Sequence, residues 1–320
     1  MQRHWPATRI SWIIGRVEAR LMSLLPGVEF IIIDKRNRWG DVRALRSALA
    51  GRRFDVLLQL QTALRASLLS RFVVADKRLG FDRARARELQ WLFSNARIAA
   101  GGRQHVLDAM LGFMTALGLP PEAPRWDIPL PPDGRAWANA HVAAGVRTLI
   151  ISACASHPQR NWSATRYAAV AAHAVRRHGM KVILCGSPSE LERRVAADVV
   201  AAADVPLLNL VGQDTLPQLL ALIAQASVLL APDSGPAHMA TMVGTPVVGL
   251  YAATRAARTG PYLSRQWCVD RYAEAARRFR GCEPDQLKWT EDIENEGVMD
   301  LIEVSAVCER LDAVLAAHAG

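Results

Sequence analysis

Along the second half of the chain, short continuous apolar runs alternate with segments whose apolar residues recur every three or four positions. "RTLIISA" (147–153) predicts a buried strand, and "SATRYAAVAAHAVRRHG" (163–179) a helix capped by Ser163 and closed by Gly179. "KVILCG" (181–186) predicts the next strand, "PSELERRVAADVVAAA" a helix and "PLLNLVG" a short strand. The alternation continues through helix "TLPQLLALIAQA", strand "SVLLAP", helix "GPAHMATMVG" and strand "TPVVGLY". Strands separated by helices imply right-handed crossovers and a parallel sheet covered on both faces. This is the pattern of a Rossmann-like α/β domain.

The first half repeats the pattern less regularly, with strands predicted at "RISWIIG" (9–15), "VEFIIID" (28–34) and "FDVLLQL" (54–60). The proline-rich passage "GLPPEAPRWDIPLPPDG" (118–134) reads as a connection between halves. The expected organisation is a first Rossmann-like domain over 1–127, a linker over 128–147, a second Rossmann-like domain over 148–303 and an amphipathic helix in 304–320. Two such domains place the expected site in the cleft between them, at the carboxyl ends of the strands.

Composition narrows the class. With 51% hydrophobic and 22% charged residues over 320 positions, the chain has the make-up of a soluble globular protein. Its five cysteines are scattered, with no Cys-x-x-Cys pair, which suggests neither a disulfide framework nor a zinc site of that type. No apolar run approaches the ~20 residues of a membrane span, and the amino-terminal segment lacks the features of a signal peptide. A cytoplasmic protein is expected. The net charge of +9 favours an anionic partner, although an arginine-rich solvated surface explains it equally well. The basic residues Arg83, Arg85, Arg87, Arg97 and Arg103 have no interleaved aromatic platform, which argues against nucleic acid.

The densest chemistry lies in "SVLLAPDSGPAHMATMVGTPVVGLY" (227–251), where a buried run stops at Asp233-Ser234-Gly235-Pro236 and a helix begins. Asp233 or Ser234 can cap that helix, Gly235 permits close backbone approach, and Pro236 suits the first turn. The exposed N–H groups and the positive end of the dipole then make an anion site, to which His238 can add a hydrogen bond. An ordinary capped helix with a core histidine is the alternative. Arg160 and Glu190 follow two other strands of the same sheet, at the same edge. A guanidinium, a phosphate-binding helix and a carboxylate for a ribose together describe a nucleoside diphosphate site.

The elements "SACASHPQRNWSATRYAAV", "VILCGSPSELE", "NLVGQDTLPQLLALIAQASVLLAPDSGPAHMATMVGTPVVGLYAAT" and "TGPY" resemble glycosyltransferase family 9, the ADP-heptose:lipopolysaccharide heptosyltransferases. The resemblance implies a GT-B fold, with the donor in the second domain, the acceptor in the first, and the C-terminal helix packing back on the first. It implies donor phosphates at Asp233, Ser234, Gly235 and His238, a ribose at Glu190, and Ser156 and Arg160 beside the diphosphate. Arg160 stands where the family has a lysine; the charge is kept and the geometry changed. Arg160 is the expected stabiliser of the leaving group. The implied reaction is inverting transfer of heptose to the lipopolysaccharide inner core, with no cofactor and, lacking an Asp-x-Asp motif, no metal. Arg97, Arg103 and His105 suit the phosphates of a lipid A-core acceptor met at the inner leaflet of a Gram-negative membrane. A monomer is expected.

Family members begin with a strand, a Ser-x-x-Gly-Asp loop carrying the general base, and a helix. This chain has no counterpart to that unit of about twenty residues, so the base is expected to be absent from it, either through a misplaced start or in a natural remnant; the first is favoured. Gly40-Asp41 in "RWGDV" (38–42) follows the wrong strand. Two alternatives to heptose transfer remain open: another sugar nucleotide or acceptor, and a nucleotide-sugar-binding protein with impaired catalysis.

Overall fold

The computed structural model describes residues 1–34 and 38–318, the side chains of 38–41 excepted. The chain divides into two compact units, Met1–Arg125 and Trp126–Gly320.

The first unit runs β1 (Ile10–Gly15), α1 (Arg16–Met22), β2 (Val28–Ile33), α2 (Arg38–Leu49), β3 (Phe54–Leu58), α3 (Leu64–Ser70), β4 (Ala75–Gly80), β5 (Ala96–Arg97) and α4 (Val106–Ala116). The three strands anticipated from the apolar runs are present. All pairings are parallel, but they form two sheets, β1-β2 and β3-β4-β5. Ile31, Leu45, Leu49, Leu69 and Val73 make one core; Leu79, Phe81, Ile98, Ala109 and Phe113 make another. Trp12 on β1 and Ile32 on β2 stay exposed. Gly40 and Asp41 fall within α2, and the Asp41 side chain lies outside the described residues.

The second unit begins with α5 (Pro132–His141), then β6 (Thr148–Ser152), α6 (Ala164–His178), β7 (Lys181–Cys185), α7 (Glu190–Ala202), β8 (Leu208–Asn209) and α8 (Leu216–Gln225). It continues through β9 (Val228–Pro232), α9 (Gly235–Val243), β10 (Val247–Tyr251), α10 (Ala256–Thr259), β11 (Val269–Asp270), α11 (Tyr272–Arg280) and α12 (Val304–Ala317). One six-stranded parallel sheet has the order β11-β10-β9-β6-β7-β8. Every residue of β6, β9 and β10 is buried, as a sheet covered on both faces requires. Local signals agree with this packing. Gly179 closes α6 in the left-handed conformation (φ 61°), and Thr215 and Gln218 form a capping box on α8.

One expectation about the organisation needs correction. The passage expected as a linker over 128–147 contains α5, which packs on α8; Gly134 lies so close that a Cβ would come within 3.2 Å of the Pro217 carbonyl oxygen. Proline density marked a helix start here rather than an extended connection, because Pro132 sits in the first turn. The C-terminal helix lays Val307, Leu311, Val314 and Leu315 into the core of its own unit, against α6 and the β9-β10-β11 side of the sheet. An amphipathic face specifies that a helix must dock, not where.

Candidate active site

β9 ends at Pro232 and delivers Asp233 and Ser234 to the head of α9. Ser234 occupies the cap position with extended backbone (φ −150°, ψ 165°), yet neither it nor Asp233 caps the helix through its side chain, contrary to the sequence expectation. The Ser234 hydroxyl is buried without a partner, a condition that costs about 1–3 kcal/mol. Asp233 is engaged elsewhere: Thr259, at the end of α10, donates its hydroxyl to the carboxylate at 3.0 Å. The first N–H groups of α9 are therefore left for an anion. A Cβ built on Gly235 would meet nothing within 4 Å, so the space before the helix is open.

Arg160 comes from a 3₁₀ turn over Pro158–Arg160, between β6 and α6. Its Nη1 lies 3.7 Å from Asp233 Oδ2, which joins the two loops as the sequence predicted. The remaining edges of the guanidinium are held by two carboxylates that sequence reading missed. Nε donates to Glu294 and Nη2 to Asp292, each at 2.9 Å. Arg258 approaches Asp292 at 3.9 Å and His157 approaches Glu294 at 3.4 Å. Burial pushes the Asp292 carboxyl above its ordinary range, opposed by Arg160 and Arg258. The acidic passage "TEDIENEG" looks like a solvated loop; its one clue was Ile293 among the acids. That residue is fully buried, and its N–H donates to the Ala253 carbonyl at 2.7 Å, pinning the segment beside the end of β10.

His238 projects from the first turn of α9, with Nε2 4.0 Å from Asp233 Oδ1 and about half of its side chain (52%) open to solvent. The surrounding protein still desolvates the ring enough to lower its pKa, against the pull of Asp233.

Glu190 is the exposed first residue of α7, capped by Ser189. Its neighbour Glu192 turns back instead, accepting from the Ser187 N–H at 2.7 Å and from the Ser187 hydroxyl. Asp214, in the loop after β8, has one carboxylate oxygen buried without a partner, and burial raises its pKa to about 7. Ser156 is exposed in the loop after β6. In the first unit, Arg97 ends β5 and Arg103 lies in the following loop, both exposed. His105 is buried, and its Nδ1 accepts from the Leu107 N–H at 3.1 Å, so it caps α4. Among the described residues, no helix is long and apolar enough to cross a membrane.

The sequence model of glycosyltransferase family 9 (heptosyltransferase) matches residues 42–287. The chain is 36% identical over 307 residues to the lipopolysaccharide core heptosyltransferase OpsX of Haemophilus influenzae, spanning 96% of this chain and 88% of that one. Among solved structures, a family 9 glycosyltransferase from Veillonella parvula superposes with a TM-score of 0.80 at 20% identity, covering 99% of this chain and 91% of that one. The ADP-heptose lipopolysaccharide heptosyltransferase II of E. coli does so with a TM-score of 0.72 at 19% identity, covering 100% and 93%. The two Rossmann-like units are those of the GT-B fold, and the chain belongs to glycosyltransferase family 9.

Proposed function

We propose that this protein transfers heptose from ADP-heptose to the inner core of lipopolysaccharide, with inversion at the anomeric carbon. Its extended similarity to a lipopolysaccharide core heptosyltransferase carries this reading. The donor diphosphate sits before α9, taking the free N–H groups and the orphaned Ser234 hydroxyl, with His238 beside it. Glu190 and Ser156 reach the donor from the two neighbouring loops. The acceptor hydroxyl oxygen attacks the anomeric carbon as the bond from that carbon to the diphosphate breaks, and the hydroxyl proton is released to solvent as ADP departs. Arg160, held in orientation by Asp292 and Glu294, and the dipole of α9 oppose the charge that builds on the departing ADP. These protein charges serve in place of a metal. Arg97 and Arg103 meet phosphates of the acceptor during transient contact with the inner leaflet of the cytoplasmic membrane, and the protein works as a cytoplasmic monomer.

The test is a transfer assay with ADP-heptose and lipopolysaccharide truncated before its first heptose, read by mass spectrometry, with and without EDTA. Heptose added to the acceptor at equal rates in both arms supports the proposal. ADP-heptose left intact while another sugar nucleotide is consumed would replace it.

A further inference from the structure

At the far end of α6 from the donor site, three side chains converge. His173 and His178 project from α6 and Asp312 from α12, and both imidazole Nε2 atoms lie 2.6 Å from the same carboxylate oxygen, Asp312 Oδ1. The ligand atoms all lie within 4.8 Å of one another, and all three residues are partly buried. The other oxygen, Oδ2, lies 3.2 Å from Arg177 Nε in an ion pair. The group presents one carboxylate and two imidazoles at one point.

We propose that His173, His178 and Asp312 form a zinc site that pins α12 to α6. Two imidazole nitrogens and one carboxylate oxygen match the ligand preferences of Zn²⁺, which binds such atoms at about 2.0–2.2 Å and completes a tetrahedron with water. The ion takes the place of the two Nε2 protons, and each ring then carries its proton on Nδ1. The site is structural rather than catalytic. At 1.5 Å per residue, His173 and His178 lie roughly 13 to 21 Å along the helix from its start, the end that carries Arg160. Joining α6 to α12 secures the final element of the second unit, whose apolar face already rests on the same core. Arg177 opposes the ion by its charge, so the affinity is moderate and can be raised by removing it.

The experiment titrates Zn²⁺ into the full chain, prepared free of metal, in competition with a chromophoric chelator. The parent is compared with His173→Gln/His178→Gln, Asp312→Asn and Arg177→Gln. The parent should take up one equivalent with a rise in Tm. The double variant should lose more than about 100-fold in affinity, beyond the 10–100-fold cost of losing an outer partner, and Arg177→Gln should bind several-fold more tightly. Should the double variant fold poorly, Co²⁺ bound to the parent tests the same ligand set through its visible spectrum, with d–d bands and no thiolate charge transfer expected. No uptake in excess zinc, equal uptake by parent and Asp312→Asn, or a thiolate band placing the ion on a cysteine would overturn the proposal and leave the three residues as a hydrogen-bonded cluster.

Discussion

Thr259 holds Asp233 through a 3.0 Å hydrogen bond from its hydroxyl, and the same carboxylate oxygen faces Arg160 at 3.7 Å. The short helix α10, which carries Thr259, thereby sets the position of the acid at the head of the proposed donor site. Thr259→Val keeps the shape and removes the donor. Hydrogen bonds to charged groups are worth about 1.5–3 kcal/mol, so ADP affinity should fall about tenfold, measured by calorimetry, while Tm changes little. Unchanged affinity would mean that Asp233 is positioned without Thr259.

Arg160 is held on two edges by Asp292 and Glu294, so in the proposed reaction it would need little reorganisation as charge develops on the leaving group. Arg160→Ala should lower kcat about 100-fold, the scale of one lost charge-stabilising donor, and change the donor KM far less. A rate within threefold of the parent would make this residue an ion-pairing element alone.

Asp214 should give the second unit a pH-dependent stability. Its pKa is raised in the folded chain to about 7, well above that of an exposed aspartate. Between those values the folded state holds a proton that the unfolded state has lost, so this contribution is full at low pH and is lost as pH rises through about 7. Asp214→Asn removes the titration. Denaturant unfolding should show the variant gaining about 1–3 kcal/mol on the parent between pH 5 and pH 8. Parallel curves for the two proteins would contradict it.

Gly249, within β10, leaves no room for a side chain: a Cβ would lie 2.7 Å from the Tyr251 ring and 2.8 Å from the Cys268 sulfur. Gly249→Ala should destabilise by about 1–3 kcal/mol through overpacking, seen as a lower urea midpoint with the m-value kept. An unshifted midpoint would show that these neighbours yield freely.

Much of this was legible in the sequence because the second unit obeys local rules. The buried strands β6, β7, β9 and β10 stand out as apolar runs bounded by helices, and Asp233, Gly235, His238 and Arg160 mark strand ends at one sheet edge. What escaped depends on tertiary contact. β4 reads "ADKRLG", too polar to signal a strand until it pairs with β3. Asp292 and Glu294 sit in an acidic run whose placement depends on tertiary contacts, the burial of Ile293 and its bond to the Ala253 carbonyl among them. The partners of α12 within its own unit could not be named in advance, because an apolar stripe carries no address. His173, His178 and Asp312 are far apart along the chain and meet only when α6 and α12 pack.

The position of the donor diphosphate rests on the open head of α9, and Gly235 provides its most direct test. Nothing in the fold lies within 4 Å of a Cβ there, so Gly235→Val should fold as the parent does while filling the space the phosphates would occupy. The measurement is a calorimetric titration of ADP, with adenosine as control, into both proteins at matched Tm. The prediction is that ADP binding weakens at least about tenfold, equal to 1.4 kcal/mol, and adenosine binding changes little. ADP affinity equal in the two proteins would place the diphosphate elsewhere.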